Sequence, residues 1–321
     1  MCCFSQPVEL VSDTNIFARS VNGRQFLVYS MTYAAAADLA MVLPLPIPPN
    51  PPEDAVRFIN LERYRTFFDD MRRGFARPES DSFSLGTTLS TFGAPMLQVH
   101  DVGSFEASFV PRIDDFHRLD DRFRIPRDVW EGLPVYHDYG FAVFKLKGTA
   151  VPHSGSSARG SWPSSPKPGQ PERGVRGFLR SWLGSLFRRA PERAKPERRR
   201  IEPAPLRLEP EPRHVHPMAF EFPRRNPDLL YFPTVHVHDR KVHPRAMFDH
   251  MLYCQPDREM DEYLQDWEKS YGPVSKFMNV AATEGIVDPN HHCWVRSLEG
   301  RLENRDVLVG KGGSGPELLA V

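Results

Sequence analysis

Cysteine is scarce: four residues in 321, at positions 2, 3, 254 and 293, are too few to staple a chain of this length with disulfides. Stability must therefore come from a buried core, and a reducing cytoplasm is the compartment this usage implies. No run approaches 18 consecutive apolar residues. The richest stretch, 34–47, is broken by Asp38, Pro44 and Pro46, so no membrane-spanning helix is expected. The opening Met1-Cys2-Cys3-Phe4-Ser5 has no basic segment leading into an apolar one, and no secretion signal is expected. Charge of one sign is also missing: 41 basic residues balance 41 acidic ones, which excludes a chain that is basic throughout and wraps nucleic acid. There is no Cys-x-x-Cys pair, no Gly-x-Ser-x-Gly elbow and no internal repeat of fixed period. The glycine-rich run from Gly310 to Gly315 lacks the Gly-Lys-Ser/Thr ending of a phosphate loop and falls in an expected flexible tail, 311–321.

Proline and arginine are concentrated where little else is. Residues 151–213 hold 11 of the 32 prolines, and 151–200 carry 12 basic against 3 acidic residues, a local charge of +9 that the rest of the chain balances. Such a segment cannot bury enough apolar surface to offset its conformational entropy, so a long disordered basic insert is expected between two parts of one body, 1–150 and 214–310. Inside it, Phe178, Leu179, Trp182, Leu183, Leu186 and Phe187 share one helical face over 175–189, with Arg173, Arg176, Arg180, Arg188 and Arg189 around it. A basic amphipathic helix of this kind suits an anionic membrane surface, an acidic protein partner or the acidic body of the same chain. Its few aromatics are not interleaved with the arginines as a base-stacking platform would be, so nucleic acid is not the expected partner.

Outside the insert, strand patterns dominate. Residues 16–19 and 25–31 flank Val21-Asn22-Gly23, a hairpin signal, and 39–45 read as a buried strand ended by the prolines that follow. Helical spacing of Val56, Ile59, Tyr64, Phe67, Phe68 and Met71 predicts a helix over 53–75, and a short one is expected over 114–123, with Asp114, Asp115, Asp120 and Asp121 on its solvated face. Strands are expected at 96–102, 105–110 and 139–147, a strand pair at 217–222 and 230–238, and a further strand at 248–254. A helix over 257–269 and a closing hairpin of 294–298 with 307–309 around Glu299-Gly300 complete the reading. Helices do not alternate with strands, so the fold class is α+β: a mixed, mainly antiparallel sheet system with a few short helices.

Eight of the 12 histidines lie between His214 and His292. Within Thr234-Val235-His236-Val237-His238-Asp239, the two histidines two apart on a strand face the same side, a common half-site for zinc or another divalent transition metal. His243 beyond a short turn, His250 on the next strand, and Asp239 are the expected further ligands, in a structural site if closed and a hydrolytic one if open. His214 and His216 repeat the alternation and join this cluster if 217–222 pairs with the His236 strand. His291, His292 and Cys293 with Cys254 are a weaker mixed set. At the other end of the chain, removal of Met1 leaves Cys2 with a free amine able to act as base for its own thiol.

The first fifty residues resemble the start of a family of uncharacterised bacterial proteins, a domain of unknown function. The likeness lies in the Cys-x-Phe start, the Val21-Asn22-Gly23-Arg24 turn, the Phe26-Leu27-Val28-Tyr29-Ser30-Met31 strand and the Ala40-Met41-Val42-Leu43-Pro44-Leu45-Pro46 run. It implies a bacterial, β-rich fold and no activity. In its N-terminal cysteine the chain is also similar to N-terminal nucleophile amidohydrolases of the bile-salt-hydrolase type. These have an arginine after the first strand and an acid three positions on; Arg19 and Asn22 stand at that spacing, with asparagine in place of the acid.

Overall fold

The computed structural model describes residues 2–75, 100–101, 105–149, 210–256 and 263–310. The insert with its expected helix at 175–189, the first part of the strand at 96–102, the first half (257–262) of the helix expected at 257–269, and the tail lie outside the described residues. The described half of that last helix is not helical, since 264–267 turn and Glu268–Lys269 pair as a strand with 294–295. The described stretches on either side of the insert belong to one compact unit.

The hairpin read from Asn22-Gly23 is the centre of the fold. β2 (Leu10–Val21) and β3 (Arg24–Ala34) pair antiparallel, and both turn residues are left-handed, with φ of 50° and 73°, as a tight turn matched to the twist of its strands requires. Both faces of this hairpin are covered. Ile16, Ala18, Leu27, Tyr29 and Met31 enter one apolar cluster, while the alternate residues Phe17, Phe26 and Val28 enter a second. β9 (Arg213–Pro223) and β5 (Arg57–Asn60) extend the sheet beyond β3. On the other side, β12 (Arg245–Gln255) runs parallel to β2, followed by β14 (Trp294–Glu303) and the short β13 (Glu268–Lys269). A six-stranded sheet, in the order β11 (His236–Val237), β1 (Cys2–Phe4), β4 (Leu39–Leu45), β8 (Gly140–Leu146), β7 (Glu106–Val110) and β6 (His100–Asp101), supplies Val42, Phe141 and Phe144 to the first cluster. β10 (Leu229–Phe232) pairs with β15 (Val307–Gly310). The second cluster is closed by α1 (Phe67–Arg73), whose Phe67 meets Phe17 edge to face at 5.7 Å. The α+β class expected from the pattern is the one observed. No described helix is long and apolar enough to cross a membrane.

Several local expectations give way to tertiary pairing. The helix over 53–75 shrinks to α1, because 57–60 instead form a strand on β9. There Phe58 and Ile59 divide between the two clusters, and Arg57 Nε meets Glu221 Oε1 at 2.9 Å. Asn60 Oδ1 then accepts from Glu62 N, so a 3₁₀ turn (Glu62–Tyr64) follows the strand. The helix at 114–123 is two 3₁₀ turns, split where Asp120 folds its carboxylate onto Arg122 N. A further short helix, α2 (Arg127–Glu131), was not read from the sequence. The expected closing hairpin does not form. Gly300 lies within the β12–β14 ladder opposite Phe248, and β15 pairs with β10, since a ten-residue partner outweighs a local turn. Likewise β9 pairs with β3 and β5, not with 230–238, and that segment divides into β10 and β11 in different sheets. The chain thus leaves one sheet at β8 and re-enters another at β9.

Candidate functional site

Two strands from different sheets deliver the histidines. His236 and His238 come two apart on and just beyond β11, so their rings lie on one side and stack, with centroids 4.7 Å apart and planes at 21°. His250 comes from β12, on the same face as Phe248 and Leu252, and its ring stacks on His236 at 4.8 Å and 24°. Nε2 of His236 and Nε2 of His250 stand 3.1 Å apart. His250 is fully buried, His236 nearly so, and His238 is partly buried at the edge. Phe248 and Phe4 wall the group, at 4.5 Å from His236 and 5.6 Å from His238.

Burial is the main force on their protonation. It drives His236 far below the ordinary imidazole range, with His250 and His238 adding to the effect, and it takes His238 to about 4. His250 is also held at about 4, burial outweighing the nearby Asp249 carboxylate. All three rings are neutral at pH 7, which is the form that lends a lone pair to a metal. Asp249 Oδ1 lies 3.5 Å from His250 Nδ1, while Asp249 Oδ2 accepts from Asp13 N at 2.8 Å where β2 bulges. With its proton on Nδ1, on the side of the carboxylate, His250 accepts at Nε2 a hydrogen bond from His236 Nε2–H. His238 Nε2 is buried with no hydrogen-bond partner.

The backbone carrying His236 is fixed by a short polar segment, 304–306, that carries no motif. Asn304 Oδ1 accepts from His236 N at 2.7 Å, and its amide donates to the carbonyls of His236 at 2.9 Å and His243 at 2.8 Å. Asp306, buried, accepts from Thr234 N and Val235 N on one oxygen and from the hydroxyls of Tyr136 and Tyr231 on the other, at 2.6–3.0 Å. Burial, then the Asp306 charge, push both tyrosines well above their usual pKa. The only trace of this clamp in the sequence is two polar residues, Asn304 and Asp306, directly before an apolar strand.

Other expected ligands are elsewhere. His243 is exposed and bonds Asp239 Oδ2 at 2.9 Å, and neither side chain reaches the three rings. His214 meets Thr32 Oγ1, and His216 stacks on Phe105, because β9 and β11 belong to different sheets. His292 Nδ1 faces Ser270 O, His291 faces Asp288, and Cys293 and Cys254 enter opposite clusters. Among the described residues no three His, Cys, Asp or Glu side chains are arranged to hold a metal ion: two imidazole nitrogens meet, while the third ring, His238, lies stacked on His236.

The strand register nonetheless brings distant parts of the chain together. β1 lies parallel to β11 with Cys2 opposite His236 and Cys3 opposite Val237. Arg19 is not near: it bonds the carbonyls of Gly285 and Ile286 and pairs with Asp288, five residues along β2 from Thr14, the partner of His250. That is about 17 Å of strand. Asn22 sits in the hairpin turn.

No family model matches the chain, and no curated protein does. Among solved structures it is similar to the crystal structure of baculovirus P35, with a TM-score of 0.40 and 13% identity over 97% of this chain and 99% of that one.

Proposed function

We propose that the protein binds a divalent transition metal of the zinc class through Nε2 of His236 and Nε2 of His250, with His238 turning in as a third ligand. The observation that carries this reading is the 3.1 Å approach of two buried, neutral imidazole nitrogens. Two imidazoles on one tetrahedral ion at about 2.0–2.1 Å each put their nitrogens at nearly this separation. The carboxylate behind His250 and the unpartnered Nε2 of His238 support it. His238 must rotate out of its stack, and nothing hydrogen-bonds its Nε2 in place. Three imidazoles leave a fourth position for water, which zinc acidifies toward neutrality, so the chemistry such a centre supplies is hydrolysis. Calorimetric titration of EDTA-stripped, untagged protein with zinc tests the reading. Binding abolished in His236→Ala and in His250→Ala but kept in His243→Ala supports it, while equal binding in all four proteins refutes it.

A second reading rests on the register that sets Cys2 opposite His236. With Met1 removed, the Cys2 thiolate attacks an amide carbonyl, the amine leaves with the proton, and water hydrolyses the resulting thioester. Intact mass gives its first requirement directly: a chain that retains Met1 excludes it.

A further inference from the structure

Away from the histidines, a cleft of about 310 Å³ opens between the segment leading into β5 and the face of β7. Its walls are apolar: Val56 and Phe58 on one side, Phe109, Val110 and Leu119 on the other. Its rim is acidic. Glu53, Asp54 and Asp115 line it against a single cation, Arg118, which is already bonded to Glu53 at 2.6 Å. Asp115 pairs with Arg112 at 3.4 Å, whereas exposed Asp54 has no ion pair or side-chain hydrogen bond among the described residues. The floor carries one polar group. Ser108 is 93% buried, since only 7% of its surface is exposed, and its hydroxyl has no hydrogen-bond partner among the described residues.

The residue is buried but its hydroxyl opens into the cleft with no partner among the described residues, so it is free to bond whatever occupies that space, water or a ligand atom. A cleft of this size, with apolar side chains and charged groups in comparable measure, can hold a small amphiphilic molecule. We propose that the cleft binds a small cationic amphiphile: an amine whose apolar body lies between Phe58, Phe109 and Leu119, whose ammonium meets Asp54 at the rim, and whose own polar atom reaches the Ser108 hydroxyl. The sign of the rim selects against carboxylates and phosphates, which would face three carboxylates with one committed arginine. Phe58 and Phe109 add quadrupole attraction for the ammonium.

The test uses the full chain and three probes of matched size: 2-phenylethylamine, 2-phenylethanol and phenylacetate, read by saturation-transfer NMR and calorimetry. The amine binds more tightly than the alcohol, and the acid not measurably. Asp54→Asn weakens the amine about threefold to fivefold, the scale of a rim ion pair, and leaves the alcohol unchanged. Ser108→Ala weakens amine and alcohol alike, while its melting temperature shows that the sheet is intact. Equal binding of all three probes, no binding of the amine, or amine binding indifferent to both substitutions overturns the proposal.

Discussion

Replacing Asp306 by alanine removes the acceptor for four donors at once. Thr234 N–H and Val235 N–H lose their only side-chain partner in a place where both residues are essentially inaccessible to water, and the Tyr136 hydroxyl loses its carboxylate. Tyr231 keeps an alternative, because its hydroxyl also lies 3.0 Å from the Pro44 carbonyl. Each orphaned buried donor costs about 1–3 kcal/mol, so Asp306→Ala costs about 4 kcal/mol in all. Asp306→Asn keeps one oxygen for the two backbone N–H groups and loses charge assistance, a cost of about 1–2 kcal/mol. For a body of this size the alanine variant melts about 8–16 °C lower and the asparagine variant only a few degrees lower. Thermal and urea unfolding followed by circular dichroism measure both. Because Thr234 and Val235 lead directly into His236, the alanine variant also loosens the imidazole group, and zinc affinity falls about tenfold. Equal stability of the two variants, or an alanine variant within 1 kcal/mol of the parent, would refute the reasoning, since it would mean that the clamp holds nothing.

Glu221 is raised by burial, but its hydrogen bond to Arg57 and the charges of Arg57 and Arg24 outweigh that, and its folded pKa lies below the ordinary 4.5. A depressed carboxylate contributes stability above the unfolded pKa and loses it as pH falls through the folded one. The stability gap between the parent and Glu221→Gln is therefore full at pH 7 and closes below about pH 4.5, as melts across pH 3–7 will record. The Cys293 thiol is pushed up by complete burial, so native protein at pH 8 leaves it unmodified by iodoacetamide while protein in urea is alkylated there, read by peptide mass. Gly140→Ala places a methyl against the Ile47 side chain and the Phe109 ring, the latter at 2.7 Å. It destabilises by about 1–3 kcal/mol, measurable by urea denaturation.

What could be read from the sequence was local and periodic. Asn22-Gly23 names its own turn, and the 39–45 run is β4, buried at every position. The alternation in Thr234 to His238 did bring two imidazoles to one side, and the strand at 248–254 did bring His250 to them. What could not be read was partner choice. Val56, Ile59 and Tyr64 fit a helix as well as a strand followed by a 3₁₀ turn, and only β9, over 150 residues away, decides between them. Glu299-Gly300 reads as a turn until β12 offers a ladder straight through it. His243 has the right spacing for a ligand, yet Asn304 holds its carbonyl and Asp239 its ring, so the side chain faces solvent. The meeting of β1 with β11, which sets Cys2 opposite His236 across 234 positions of sequence, leaves no periodic mark at all.

The proposed site at His236 and His250 is tested most directly by its metal content. Plasma mass spectrometry on untagged, desalted full-length protein measures it without an assumed substrate. About one equivalent of zinc or a similar divalent metal per chain is expected, retained on desalting and lost in the His236→Ala/His250→Ala variant. Metal far below one equivalent that does not rise after incubation with zinc, or metal that survives in the double variant, would contradict it.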